Sequence, residues 1–306
     1  IKNSLSNSKM LEGVGKIFSD FKWRKNDVAI YYSCDSMLLS SALGKETKSG
    51  EIHSSGPRYD YFYSRQGAQY LLEELLWQYE FLASEQIAGG KLKEYKVLLL
   101  PRIIAMSDTE VAALKNFLQV GGKLIADDMP GLYDELGVKR ANAPFSASEV
   151  TIIGRNFDEL DKAQKIMLKD LLLEANCPPI LASENIVDFN GREAMHLVNG
   201  DMSVFSVLRM PGRSDDENAQ TFIFPKKGHV YDIRAGKYLG ETNAVTAKVP
   251  HADAVLFGNY PYKVENLKLA VPEMVKAGDD LKADIAVVTS GGQAGHHVFH
   301  IQVLNP

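Results

Sequence analysis

Two adjacent carboxylates, Asp127 and Asp128, follow the apolar run KLIA at residues 123–126, and Asp134 and Glu135 come within the same loop. Paired carboxylates suit acid–base and glycosidic chemistry, in which one protonates a leaving oxygen and the other attacks or activates water. The ends of parallel strands are where α/β proteins place their sites. The same residue types also serve as polar caps at any strand exit. Position alone is an associational warrant, so Asp127, Asp128 and Asp134 stand as candidates and no residue is assigned a catalytic role.

Other chemistries find less support. A nucleophile elbow needs Gly-x-(Ser/Cys)-x-Gly between strand and helix; this chain reads IADDMPG there. Cys34 follows the first strand, and Cys177 sits in ANCPP. Both are read as small buried apolar residues. In HHVFH, an extended backbone puts His296 and His300 on one face and His297 on the other. Two histidines without a third ligand make no metal site, so no metal is expected. No Gly-x-Gly-x-x-Gly or Walker-type loop follows any strand, and no cofactor is expected. PRYDYFYSRQ (57–66) gathers Tyr59, Tyr61, Phe62 and Tyr63 into one stretch, read as a loop. Aromatics beside arginines mark interfaces and also stack on sugars. Tyr59, Tyr61 and Tyr63 are therefore the expected interface or sugar contacts.

The elements that must position these groups follow from period. DVAIYYS (27–33) and KVLLLP (96–101) are short apolar runs suited to buried parallel strands. Residues 66–83 place Ala68, Leu71, Leu72, Leu75, Leu76, Tyr79 and Leu82 on one helical face. Ser107 with Glu110 three residues on is a capping box. The helix it opens buries Val111, Leu114, Phe117 and Leu118, and Gly121-Gly122 ends it. KLIAD (123–127) and EVTIIG (149–154) are strands, and a helix over about 158–175 turns Leu160, Ala163, Met167 and Leu171 inward. This is an α/β layout, a parallel sheet covered on both faces. Beyond about residue 185 the helical period stops. Alternating runs (AMHLVN, SVFSVLRM, TFIFPK, HVYDIR, AVLFGNY) are separated by turn signals at Asn199-Gly200, Pro211-Gly212, Lys227-Gly228 and Ala235-Gly236. That pattern predicts an all-β sandwich region. The expected division is an α/β domain over 1–185, a sandwich over 186–262, and over 263–306 the start of a further β-domain.

With 306 residues, two or three domains is the natural expectation. The net charge of −5 argues against a nucleic-acid surface, and no run approaches the roughly 20 apolar residues of a membrane span. Two cysteines make no disulfide framework. Residue 1 is Ile and the chain ends on VFHIQVLNP; both ends read as cut from a longer protein.

Over roughly residues 10–180 the chain resembles a known module. LEGVGKIFSDFKWRKNDVAIYYSCDS, KLKEYKVLLLPRIIAMSDTEVAALKNFLQVGGKLIADD and GLYDELG look like the middle, trimerisation-type domain of family 42 glycoside hydrolases, the β-galactosidases. That module is similar in fold to class I glutamine amidotransferases, with a flavodoxin-like sheet. HVYDIRAGKYLG and LFGNYPYKV look like the sandwich that follows it. Amidotransferases carry their nucleophilic cysteine where this chain has Asp127 and Asp128, so the resemblance implies that this chemistry is absent. Family 42 enzymes carry two catalytic glutamates on an upstream barrel, so no catalytic residue transfers. The resemblance thus implies a non-catalytic scaffold partnered by its own upstream barrel and by copies of itself. A carbohydrate-binding ancillary module and a diverged hydrolase using the strand-end carboxylates remain open alternatives.

Overall fold

The computed structural model describes residue 15 and residues 19–43, 57–183, 191–209, 219–276 and 278–299. The chain forms two compact units. One lies within Lys25–Ala194; the other takes the stretch up to Arg24, Met195–Arg209 and the chain beyond Asp216. No helix among the described residues is long and apolar enough to cross a membrane.

A two-residue strand, β1 (Lys22–Trp23), belongs to the second unit. The first unit is built on β2 (Val28–Tyr32), β3 (Tyr79–Ala83), β4 (Val97–Leu100), β5 (Lys123–Ala126) and β6 (Val150–Ile152). They form a parallel sheet in the order β3-β2-β4-β5-β6. The helices are α1 (Cys34–Leu43), α2 (Pro57–Glu74), α3 (Ser84–Ala88), α4 (Asp108–Gln119) and α5 (Lys162–Glu174). A short strand, β7 (Ala182–Ser183), follows α5.

Both sheet faces are covered, and the period-2 alternation of a strand explains how. Ala29, Tyr31, Leu98, Leu100, Leu124 and Ala126 join one buried cluster with Val111, Leu114 and Phe117 of α4. Val28, Ile30, Val97, Leu99 and Ile125 join another with Ala68, Leu71 and Leu72 of α2 and Leu168 and Leu172 of α5. Helix α4 starts as expected: Ser107 accepts from the Glu110 amide, and Glu110 Oε2 accepts from the Ser107 amide at 2.6 Å. Gly121, at φ 92°, follows its end in the left-handed conformation that costs glycine little.

Three expectations in this unit need correction. The stretch 57–66 is not a loop but the first half of α2, which opens on Pro57, a residue a first turn tolerates. That helix ends at Glu74, not at residue 83, and Tyr79–Ala83 is the edge strand β3. Leu76 sits at φ 62° between them. The helical apolar stripe runs on past the break because β3 also buries Leu82 against the core. In α5 the buried residues are Leu168 and Leu172, one position on from the expected Met167 and Leu171; Ala163 is exposed and Met167 is 39% exposed. The helix starts only after its Asp161 cap, so Leu160 packs from outside it and does not set its phase.

The second unit is antiparallel. Its strands are β8 (Arg192–Asn199), β9 (Met202–Arg209), β10 (Gln220–Asp232), β11 (Lys237–Ala247) and β12 (Ala254–Tyr260), with β13 (Lys263–Ala270) and β14 (Asp284–Ser290) as a separate two-stranded ribbon. The sheet runs β1-β8-β9-β12-β10-β11. Phe205, Phe224 and Phe257 meet edge-on in its core, with ring centroids 5.1 and 5.8 Å apart. Such pairs add to the area they bury. The runs TFIFPK and HVYDIR are one strand, β10, not two. Lys227-Gly228 is no turn. It lies in a bulge, where the pairing with β11 jumps from Ile223–Ala244 to Gly228–Thr242. Asn199-Gly200 and Ala235-Gly236 do form the turns; Pro211-Gly212 lies outside the described residues.

Candidate functional site

In the α/β unit the strand order reverses between β2 and β4, the place where open parallel sheets bind ligands. Here the groups at that place bond to one another. The Ser33 amide donates to Tyr61 Oη at 2.9 Å, and Ser36 Oγ bonds both the amide and the carbonyl of Ala105 at 3.0 Å. Ser33, Ser36, Tyr61 and Ala105 are all buried.

Asp127 ends β5 beside this point and is 3% exposed. Ser64 Oγ donates to its Oδ2 at 2.5 Å. The Arg102 amide donates to both carboxylate oxygens at 2.9 Å, and the Asp128 amide to Oδ1 at 2.9 Å. Burial pushes the Asp127 carboxyl up to about 6, against the downward pull of these donors. Arg102 sits at φ 48°, a conformation that costs a side-chain-bearing residue about 1 kcal/mol or more. The two-pronged acceptor on its amide holds it there. Asp127 thus ties α2, the exit of β4 and the end of β5 together.

Asp128 is mostly exposed, 3.6 Å from Arg102 Nη1, and accepts from the Met129 amide. Asp134 accepts from the Leu136 and Val138 amides at 3.0 and 2.8 Å, which shapes its own turn. Glu135 is exposed. Each of the three candidate carboxylates therefore accepts hydrogen bonds from main-chain amides of its own loops.

The tyrosine stretch divides by helical position. Tyr61 is 2% exposed, so it offers no surface to a partner or a sugar; this corrects the expectation for that residue. Tyr59 stands in the first turn of α2. Phe62 and Tyr63 are exposed and meet edge-on at 5.6 Å. Sequence reading passed over Arg65. Its guanidinium lies 5.4 to 5.7 Å from the ring centres of Tyr32, Phe62 and Phe81. These residues form an aromatic and cationic patch at the β3 edge of the sheet.

The histidines do not lie in a strand: residues 293–299 have no regular structure. His296 meets Asp20 at 2.9 Å, and His297 meets Tyr262 Oη at 2.9 Å. His300 lies outside the described residues. Among the described residues no three His, Cys, Asp or Glu side chains cluster to hold a metal ion. Cys177 is buried, as expected, and burial pushes its thiol up to about 11. Cys34 is exposed, not buried, because it starts α1 on that helix's outer side.

The β unit carries a cavity of about 550 Å³ that sequence reading missed. It lies over β8, β9, the β10 bulge and the end of β12. His196 stands at its base, stacked on Phe205 at 4.1 Å and bonded to Ser203 Oγ at 3.0 Å. Burial, with Arg24 nearby, holds His196 down at about 4, so it is neutral at pH 7. Arg24, Lys226 and Lys227 line the cavity against one acid, Asp201.

No family model matches the chain, and no curated protein matches it in sequence. Solved structures do match in fold. The chain is similar to a β-galactosidase from Bacillus circulans sp. alkalophilus, at 14% identity and TM-score 0.58, over 82% of this chain and 44% of that one. It is similar to a family 42 β-galactosidase from G. stearothermophilus, at 12% identity and TM-score 0.54, over 78% and 40%. A cold-adapted β-galactosidase from Rahnella sp. R3 matches at 11% identity and TM-score 0.52, over 79% and 43%. The chain spans less than half the length of each of these three. In fold, an α/β unit followed by a β region, the chain is similar to part of these β-galactosidases.

Proposed function

We propose that the chain is a non-catalytic portion of a glycoside-hydrolase-like protein, with the α/β unit serving assembly. The observation that carries this reading is the state of the strand-end carboxylates. Asp127 is buried and accepts four hydrogen bonds from the chain itself, and Asp128 and Asp134 fix their own loops. Both oxygens of buried Asp127 are engaged in this way, and Asp128 and Asp134 each commit Oδ1 to main-chain amides. The likeness to under half of several β-galactosidases supports the same reading. The catalytic carboxylates then belong to a barrel outside this chain. The patch of Phe62, Tyr63 and Arg65 is the surface offered to a second copy or to that barrel, since aromatics and arginine carry most interface energy.

The test is direct. The purified chain is incubated with an aryl β-galactoside, and no turnover above buffer is expected. Turnover that survives repurification and disappears in Asp128→Asn would overturn the reading in favour of a diverged hydrolase. The assembly role is read by sedimentation: Phe62→Ala with Tyr63→Ala should lower the mass of any oligomer, or weaken binding to the barrel. Unchanged association would remove this surface from the proposal.

A further inference from the structure

The cavity of the β unit owes one of its walls to a break in β10. Between Ile223 and Gly228 the strand leaves its register with β11. Bulges of this kind re-aim side chains beside functional sites. A buried group fixes this one. Asn259, mostly buried, donates from Nδ2 to the Lys226 carbonyl at 2.9 Å. A Cβ on Gly228 would sit 1.9 Å from the Asn259 Oδ1, so glycine leaves the room that the carboxamide needs. The exposed segment that brings Pro225 and Lys226 to the cavity is thereby held in place.

The charged groups of the lining divide into those already engaged and those available to a ligand. Arg24 interacts within the chain, and its backbone amide is tied to the His196 carbonyl at 3.0 Å. Lys227 reaches Glu241 at 3.1 Å. One carboxylate, Asp201, and one ammonium, Lys226, stay without a side-chain partner among the described residues. Both are exposed. Their charges are opposite, so together they favour neither an anion nor a cation. At the base, Ser203 Oγ lies 3.0 Å from His196 Nε2. Val198, Pro225 and Pro261 add apolar lining. A volume of about 550 Å³ falls within the range of about 300–1,000 Å³ typical of small-molecule sites.

These groups suit one kind of ligand. A carboxylate accepts hydrogen bonds, an ammonium donates them, and a serine hydroxyl does both. A sugar hydroxyl is donor and acceptor at once and carries no charge, and the C–H face of a sugar ring is apolar. We propose that this cavity binds a neutral sugar, its hydroxyls donating to Asp201 and accepting from Lys226, its ring lying against Pro225 and Pro261. The choice of a sugar over a zwitterion such as an amino acid rests on the glycosidase-related reading above; the absence of a charge preference rests on the cavity alone.

The test is calorimetry of the whole chain with galactose, glucuronate and alanine, at low and raised salt. Saturable binding of galactose is expected, unchanged by salt, with glucuronate no tighter and alanine at least about tenfold weaker. Asp201→Asn and Lys226→Gln, both at exposed positions, should each weaken galactose by about tenfold. Lys268→Gln, on β13 outside the cavity, should change nothing. Asn259→Ala keeps every charge but frees the bulge, and should weaken binding while far-ultraviolet dichroism stays the same. Glucuronate binding more tightly than galactose, with affinity falling as salt rises, would overturn the neutral ligand. Alanine binding as tightly as galactose would overturn the sugar. Absence of heat from all three, or galactose binding untouched by both Asp201→Asn and Lys226→Gln, would overturn the site. None of these outcomes bears on galactoside turnover or on association through Phe62 and Tyr63, so a failure here is distinct from a failure of the assembly reading.

Discussion

Replacing Asp127 by Asn should alter how the stability of the α/β unit depends on pH. The carboxyl is raised from its ordinary 3.8 to about 6. Its folded value therefore lies above its unfolded one, and folding favours the protonated form. The stability contributed by this group is fully present below pH 3.8 and is lost as pH rises through about 6. At ~1.4 kcal/mol per pH unit, the span amounts to about 3 kcal/mol. Asparagine resembles the neutral carboxyl and does not titrate. Its Oδ1 can still accept from the Arg102 amide, and its Nδ2 can donate to Ser64 Oγ. Urea unfolding of both proteins at several values between pH 4 and 7 reads the difference. Trp77 is buried in this unit, its indole donating to the Cys177 carbonyl at 2.8 Å, so its emission reports on the unit. The wild type should lose about 2.4 kcal/mol of that span relative to Asp127→Asn between pH 4 and 7. A difference that stays constant from pH 4 to 7 would refute the view that burial governs this carboxyl.

Other expectations concern packing and caps. Ser107→Ala removes one half of the α4 capping box and should cost about 1 kcal/mol in the same unfolding assay. Gly67→Ala should be far worse, about 3 kcal/mol, because the new Cβ meets the Asp158 backbone nitrogen at 2.2 Å. Backbone cannot rotate away as a side chain can, so thermal unfolding of this variant should begin well below that of wild type. Leu168→Ala should cost about 2–5 kcal/mol, whereas Met167→Ala, one position away, should cost under about 1 kcal/mol. Equal costs would mean that α5 presents a different face to the sheet.

The parts of the fold legible in the sequence are those fixed by local chemistry. Helix α4 is one: Ser107, Glu110 and Gly121 state its start and stop in residue types whose energetics are local. The break after α2 carries no such mark. Leu76 adopts a positive φ without being Gly or Asn, and Tyr79–Ala83 becomes a strand only because β2 pairs with it. The β10 bulge misleads for the opposite reason. Lys227-Gly228 has turn composition, but the glycine is needed for Asn259, not for a reversal of the chain. For the candidate sites, Asp127 was visible as a strand-end acid, but its meaning depends on Ser64 and Arg102, distant in sequence. The cavity was invisible because Arg24, His196, Lys226 and Tyr260 come from four separate strands or strand ends.

The pairing of β1 with β8, Lys22 to Val198 and Trp23 to Leu197, has a consequence for the order of events during synthesis. The α/β unit is essentially one continuous stretch of chain, and its five parallel strands and the helices that cover them have left the ribosome soon after residue 174. The β unit cannot close then, since β1 has waited from the start for a partner nearly the whole insert away, and β10 to β12 are still to come. The α/β unit therefore folds inside the connection of an unfinished sheet. Arg24, next to β1, can meet Lys226 and Tyr260 only once residue 260 has been made, so the pocket forms after the α/β sheet.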